Sequence, residues 1–215
     1  KYKRHYQQAC TLSHGEGQLY VCEKLVDKQL AHEGGLSGSI MTAADDVLYI
    51  WDLGLNASAD PRTWTFDSIV DKSSGAAYGG PRNEENVAYI FDAKPFHRES
   101  RMLAVALSDG SVRIVDTSTT KNKPDKAESG STISNVHVGA DGDICVNVAS
   151  MVARLSPSSQ GSAPPHVTGL AVSEDDRFLV VSLGDGKVAV LNFKDGLKAA
   201  PCLVDLITAH TASCF

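Results

Sequence analysis

Seven histidines and five cysteines have the most obvious capacity for chemistry in this chain, and their spacing limits what they can do. His5, His14, His32, His97, His137, His166 and His210 form no H-x-H pair and no H-E-x-x-H run, and none stands at ligand spacing from a cysteine. Zinc-type sites need such clustering, because several donors must converge on one ion. No metal and no cofactor is therefore expected. The cysteines, Cys10, Cys22, Cys145, Cys202 and Cys214, include no C-x-x-C pair and are odd in number. They read as reduced, small, buried hydrophobes rather than as a disulfide framework. That reading fits an intracellular protein, cytoplasmic or nuclear.

Nucleophile and phosphate chemistry find no local support. There is no G-x-S-x-G elbow, no G-x-x-x-x-G-K loop and no G-x-G-x-x-G turn. Gly15-x-Gly17 precedes a predicted strand and reads as a turn. Glu84-Glu85 and Glu174-Asp175-Asp176 are neighbouring carboxylates. General acid and base carboxylates must face one another across a substrate, so these read as solvated turn residues. A net charge of −6 and a pI near 5.6 argue against direct binding of nucleic-acid backbones, which needs clustered Lys and Arg. No apolar run approaches the ~20 residues that cross a bilayer, and no signal peptide leads the chain.

The elements that would position any site are short strands. His166–Phe193 reads as three strands and two tight turns, with Gly184-Asp185-Gly186 supplying the positive φ of a hairpin. Leu103–Asp116 lies over Leu179–Asn192 with Leu103, Val105, Leu107, Asp109, Gly110 and Val112 matching Leu179, Val181, Leu183, Asp185, Gly186 and Val188. The offset is 192 − 116 = 76 residues, or two units of 38. Val152–Ser156 falls at the intermediate position, and Leu48–Asp52 and Leu19–Glu23 are further copies. Repeats of roughly 40 residues with an Asp-Gly turn before a closing strand mark propeller blades.

On these residues the chain resembles the WD-repeat (β-transducin-like) family. Trp51-Asp52 keeps the pair that names the family; the other copies read Cys22-Glu23, Val115-Asp116, Leu155-Ser156 and Leu191-Asn192. The resemblance implies an all-β, β-propeller fold of four-stranded antiparallel blades. About five blades are expected in one domain over 1–215, near 6–30, 31–72, 86–128, 131–160 and 166–208, with the ring completed by missing loops or further chain. Turns are looked for, and not found, at Ile40-Met41 and Ser150-Met151; weakly ordered loops are expected there and at 57–60 and 120–129.

The resemblance also implies a buried hydrogen-bonded tetrad: His32, Thr42, Asp45 (or Asp46) and Trp51. Trp51 would donate to Thr42, Thr42 would reach His32, and His32 the turn carboxylate. The same residue types could form a catalytic His–Asp pair with a hydroxyl nucleophile, but a structural staple between strands is the expected role. Asp109 and Asp185 are the corresponding turn aspartates, and His210, like His32, is a blade-opening histidine. Trp51-Asp52 is followed by Leu53-Gly54, without the Arg that some family members use to dock on ubiquitin-ligase adaptors, and the S-x-D-x-G-x-x-W boxes of sialidase-type propellers are absent. The functional expectation is a non-enzymatic scaffold. It would bind other proteins or peptides on the propeller rims and central channel, with partner-binding residues unknown. A propeller-framed hydrolase, or a reader of histone-tail or other peptide motifs, is the alternative.

Overall fold

Alternation at period two builds strands, and the glycine and aspartate turns fold them back on one another. The computed structural model describes residues 19–25, 39–44, 46–52, 61–69, 88–99, 101–117, 136–138, 143–155 and 165–209. These form three antiparallel sheets. The first runs β1 (Leu19–Leu25), β2 (Ser39–Ala44), β3 (Val47–Asp52) and β4 (Arg62–Thr65) in consecutive order. The second contains β5 (Ile90–Pro95), β6 (Met102–Leu107), β7 (Ser111–Asp116), β8 (Val136–Val138) and β9 (Ile144–Asn147), in the order β5-β6-β7-β9-β8. The third is β10 (Val167–Val172), β11 (Phe178–Leu183), β12 (Lys187–Asn192) and β13 (Cys202–Thr208), again consecutive. Between β9 and β10 lies the one helix among the described residues, α1 (Val148–Leu155). Antiparallel meanders packed sheet on sheet are the blades of a β-propeller, the fold class expected from the repeats.

The three central hairpins share one register. Thr42 pairs with Tyr49, Val105 with Arg113 and Val181 with Ala189; two residues further along stand Trp51, Val115 and Leu191. Each sheet therefore has a first face carrying these positions and a second face carrying the alternate ones. The second face of sheet 1 (Met41, Ala43, Leu48, Ile50) packs on the first face of sheet 2 (Leu103, Val105, Leu107, Val115). The second face of sheet 2 (Ala104, Ala106, Val112, Ile114) packs on the first face of sheet 3 (Leu179, Val181, Leu183, Leu191). Because β6 and β7 lie between two neighbours, nearly every residue in them is buried; β6 reads as a continuous apolar run, while β7 buries Ser111 and Arg113 among its valines and isoleucine.

Several sequence expectations are corrected. Val152–Ser156 does not close a strand: Val152 lies in α1. Asn147 caps that helix, its Oδ1 accepting from Ser150 N at 2.9 Å, while Val148, Ala149 and Val152 are buried. Ser150-Met151 is thus an interior helical step. Ile40-Met41 is likewise no junction, since both residues lie inside β2, paired without interruption to β1 and β3. β1, expected in the blade at 6–30, pairs with β2 of the 31–72 range, and β8 and β9, from 131–160, extend the sheet of the 86–128 range. The loops expected at 57–60 and 120–129 lie outside the described residues.

Candidate functional site

The first sheet carries the polar pair of the expected network. The Thr42–Tyr49 register puts Thr42 diagonally across from Trp51 on the same face, and Trp51 Nε1 donates to Thr42 Oγ1 at 2.8 Å. Thr42 is buried, whereas Trp51 is only half-buried, with its ring stacked on Tyr49 at 5.8 Å. The expectation of a fully buried indole is corrected accordingly: a first face without a preceding described sheet leaves the ring partly in solvent. Ala44 pairs with Val47, and Asp46, in the turn between them, is buried. His32, Asp45 and His210 lie outside the described residues.

The same two positions in the other sheets are apolar. Val105 with Val115, and Val181 with Leu191, are all buried. The hydroxyl-to-indole bond is replaced there by hydrocarbon packing, which needs no histidine.

The two turn aspartates share a position and differ in use. Gly110 at φ 78° and Gly186 at φ 85° make both turns possible. Asp109 is buried. Its Oδ1 accepts from Ser111 N at 3.0 Å and Ser111 Oγ at 2.6 Å, and its Oδ2 accepts from Ile69 N at 2.9 Å. It therefore fastens sheet 2 to the segment leaving sheet 1. Asp185 faces solvent and pairs with Lys187 Nζ at 2.7 Å.

One residue read as a solvated turn acid links two sheets. Asp176 is buried and adopts φ 60°, a left-handed conformation that aspartate tolerates better than most residues. Its Oδ1 accepts from His97 N at 2.7 Å, and its Oδ2 from Arg98 N at 2.7 Å and Glu99 N at 3.3 Å. One carboxylate in the β10–β11 turn thus gathers three successive N–H groups of the β5–β6 turn. The neighbouring Asp175 does stay in solvent. The Ser173 hydroxyl, donating to its Oδ1 at 2.7 Å, and then the Arg177 N–H, hold its carboxyl below the ordinary 3.8. Further inter-sheet bonds run from Leu170 N to Asp92 Oδ2 at 2.9 Å, from Arg113 Nη2 to the Asp67 carbonyl at 2.8 Å, and from Arg62 Nη1 to the Thr117 carbonyl.

His166 is a second residue whose role the sequence did not disclose. Its carbonyl accepts from Gly184 N at 2.9 Å, and its ring lies against Phe91 at 5.3 Å between centroids. A Cβ on Gly184 would stand 2.4 Å from the ring's Cε1, so a larger residue there would require the imidazole to move. The Pro164-Pro165-His166 run directly before a strand was the available signal. His97 is exposed, with Nε2 3.4 Å from the Val172 carbonyl oxygen. Among the described residues no group of three or more His, Cys, Asp or Glu is placed to hold a metal ion, and no helix is long and apolar enough to cross a membrane.

What the arrangement presents outward is a charged turn. Asp176 holds the backbone of the 97–99 turn, while the side chains of His97, Arg98, Glu99 and Arg101 are exposed, with Arg177 exposed on the adjoining turn.

No protein-family model and no curated protein matches the chain. Solved structures do resemble it. The β-propeller domain of Cps50 (Swd1) from Myceliophteria thermophila is similar at 11% identity and a TM-score of 0.47, over 81% of this chain and 39% of that one. A humanized mutant of the Chaetomium thermophilum Polycomb Repressive Complex 2, bound to the inhibitor GSK126, is similar at 12% identity and 0.44, over 84% and 27%. The C-terminal WD40 domain of Sif2 is similar at 14% identity and 0.44, over 85% and 34%. The chain thus spans well under half the length of each, and its fold assignment rests on the strand order and register given above.

Proposed function

We propose that this chain, as a single WD-repeat-type propeller domain over 1–215, is a non-enzymatic scaffold that holds partner proteins or peptides within an intracellular multiprotein complex. The observation that carries the reading is the charged turn built on Asp176. Recognition loops work best when a rigid frame fixes their backbone and leaves their side chains to solvent. The 97–99 turn meets both conditions, with its N–H groups bonded to a buried carboxylate of the next sheet and its side chains exposed. The mixed charges of His97, Arg98, Glu99, Arg101 and Arg177 suit a peptide of mixed charge, and the net charge of −6 disfavours a nucleic-acid backbone. In this reading the His32, Thr42, Asp45 and Trp51 network is a staple within the first blade.

The test is purification from the source cells of the wild-type chain and of a variant with His97, Arg98, Arg101 and Arg177 changed to alanine. Stoichiometric protein partners should accompany the wild type and be lost from the variant, while the variant's melting curve is unchanged. A chain that purifies alone, or that turns over ester, amide or phosphoester substrates, overturns the reading.

A further inference from the structure

The charged turn is gripped from the side of sheet 1 as well as from sheet 3. Thr117, the buried residue that follows β7, aims both of its donors at the carbonyl of Arg101, its N–H at 2.8 Å and its Oγ1 at 2.9 Å. Its own carbonyl accepts from Nη1 of Arg62, at the start of β4 in sheet 1. The Arg62 guanidinium stands 5.9 Å from the ring centroid of Trp64, and Trp64 is buried in the core that sheets 1 and 2 share. Within the turn, Met102 N donates to the Glu99 carbonyl at 2.8 Å. A path of hydrogen bonds therefore runs from sheet 1 through Arg62 and Thr117 to Arg101. It continues across the turn and, through Asp176, into sheet 3.

We propose that Arg62 and Thr117 are positioning residues for the charged turn, so that the first sheet helps to set the partner-binding surface of the second. The inference rests on the reading of that turn as the surface that meets partners. The two grips act on different groups. Asp176 accepts from the N–H groups of 97–99, whereas Thr117 donates to the carbonyl of Arg101. A turn held at one end swings about that end. Held at both, it presents Arg98, Glu99 and Arg101, all exposed, in one arrangement relative to both neighbouring sheets. That lowers the ordering cost a partner meets on binding. Thr117 is buried and meets no partner itself; its effect passes through the Arg101 carbonyl. By linkage, a partner that prefers the held turn strengthens the Arg62–Thr117 contact by the same factor.

Amide hydrogen exchange of the wild-type chain and of Arg62→Met reads this coupling without a ligand. Methionine keeps an unbranched stem beside Trp64 and lacks the donor. Thr117 N–H should exchange faster in the variant. So should Arg98 N–H, which donates to Asp176 Oδ2 on the far side of the turn, by roughly threefold or more. The amides of β11 and β12 should keep their rates. Arg62→Lys retains a cationic donor and should restore the slower exchange. Should Arg62→Met not fold, Thr117→Val removes only the hydroxyl bond and should speed Arg98 N–H in the same sense. Unchanged Arg98 exchange in the folded variant overturns the proposal. So does equal acceleration throughout sheets 1 and 2, or a lysine variant no better than methionine, since either reduces Arg62 to general stability. Protein partners that accompany the wild type should be depleted roughly threefold or more from Arg62→Met, and their full retention also overturns the proposal. A wild-type chain that purifies alone refutes the partner-binding reading but not the exchange coupling, so the two fail separately.

Discussion

Replacing Asp176 by glycine removes one carboxylate and three inter-sheet hydrogen bonds while keeping a backbone that enters φ 60° without strain. Each hydrogen bond to a charged group contributes about 1.5–3 kcal/mol, and the three share one acceptor and so do not add in full. The 97–99 turn is exposed, so water can partly replace the lost acceptor. The two bonds at 2.7 Å dominate, and the expected loss is about 2–4 kcal/mol. For a chain of this length each kcal/mol moves the midpoint by about 2–4 °C, which gives a fall of roughly 4–16 °C. Asp176→Asn keeps one carbonyl acceptor and a residue type that tolerates left-handed φ, so it should lose about half as much. Thermal unfolding followed by near-ultraviolet circular dichroism measures both. Amide hydrogen exchange should show Arg98 N losing protection in the glycine variant before the strands of sheet 3 do. If Asp176→Gly stays within about 0.5 kcal/mol of the wild type, the range of an ordinary surface change, Asp176 is not a clamp between sheets.

Trp51→Phe keeps the stacking on Tyr49 but deletes the donor to the buried Thr42 Oγ1, and should cost about 1 kcal/mol in urea unfolding. Gly110→Ala places a methyl group 2.6 Å from Ala149 Cβ and 2.8 Å from the Pro165 carbonyl oxygen at φ 78°, and should cost about 2–4 kcal/mol. Gly196→Ala, at φ 90° with nothing within 4 Å, should cost only about 1 kcal/mol of backbone strain. A carbon-detected titration should place the Asp175 midpoint below 3.8, and Ser173→Ala should raise it. Because the folded carboxyl is the stronger acid, whatever Asp175 adds to stability is present above its unfolded value and is lost as pH falls through the folded one.

The hairpins were legible because their signals are local. Asp109-Gly110 and Asp185-Gly186 fix the turns, and alternation assigns faces once the turn is known. The Trp51–Thr42 bond follows from the same register. Val152–Ser156 was misread as a closing strand because VARLS fell on the 38-residue offset; Asn147, three residues before Ser150, was the cap signal that favoured helix. β1 was placed in the wrong group because LYVCE and LYIWD look alike, and alternation says nothing about which strand is a partner. Asp176 was hidden by its neighbours. In an acidic run of three, composition points to solvent, and only the approach of the 97–99 turn from another sheet singles out one carboxylate for burial.

The strand order of the second sheet bears on how its border meets other chains. After β7 the polypeptide passes to the outermost position as β8 and returns as β9 between them. The border is therefore a strand of three residues, too short to template a long ladder with a stray chain. The third sheet ends on β13, seven residues with Val204 and Ile207 exposed. There the protection is of another kind. A bulge opposite Val190-Leu191 breaks the regular spacing at Val204, and Asp205 adds an exposed charge beside it, so an incoming strand would meet a kinked and charged border. Straightening that bulge by deleting Val204 would leave the fold's pairing intact and turn β13 into the most aggregation-prone segment described.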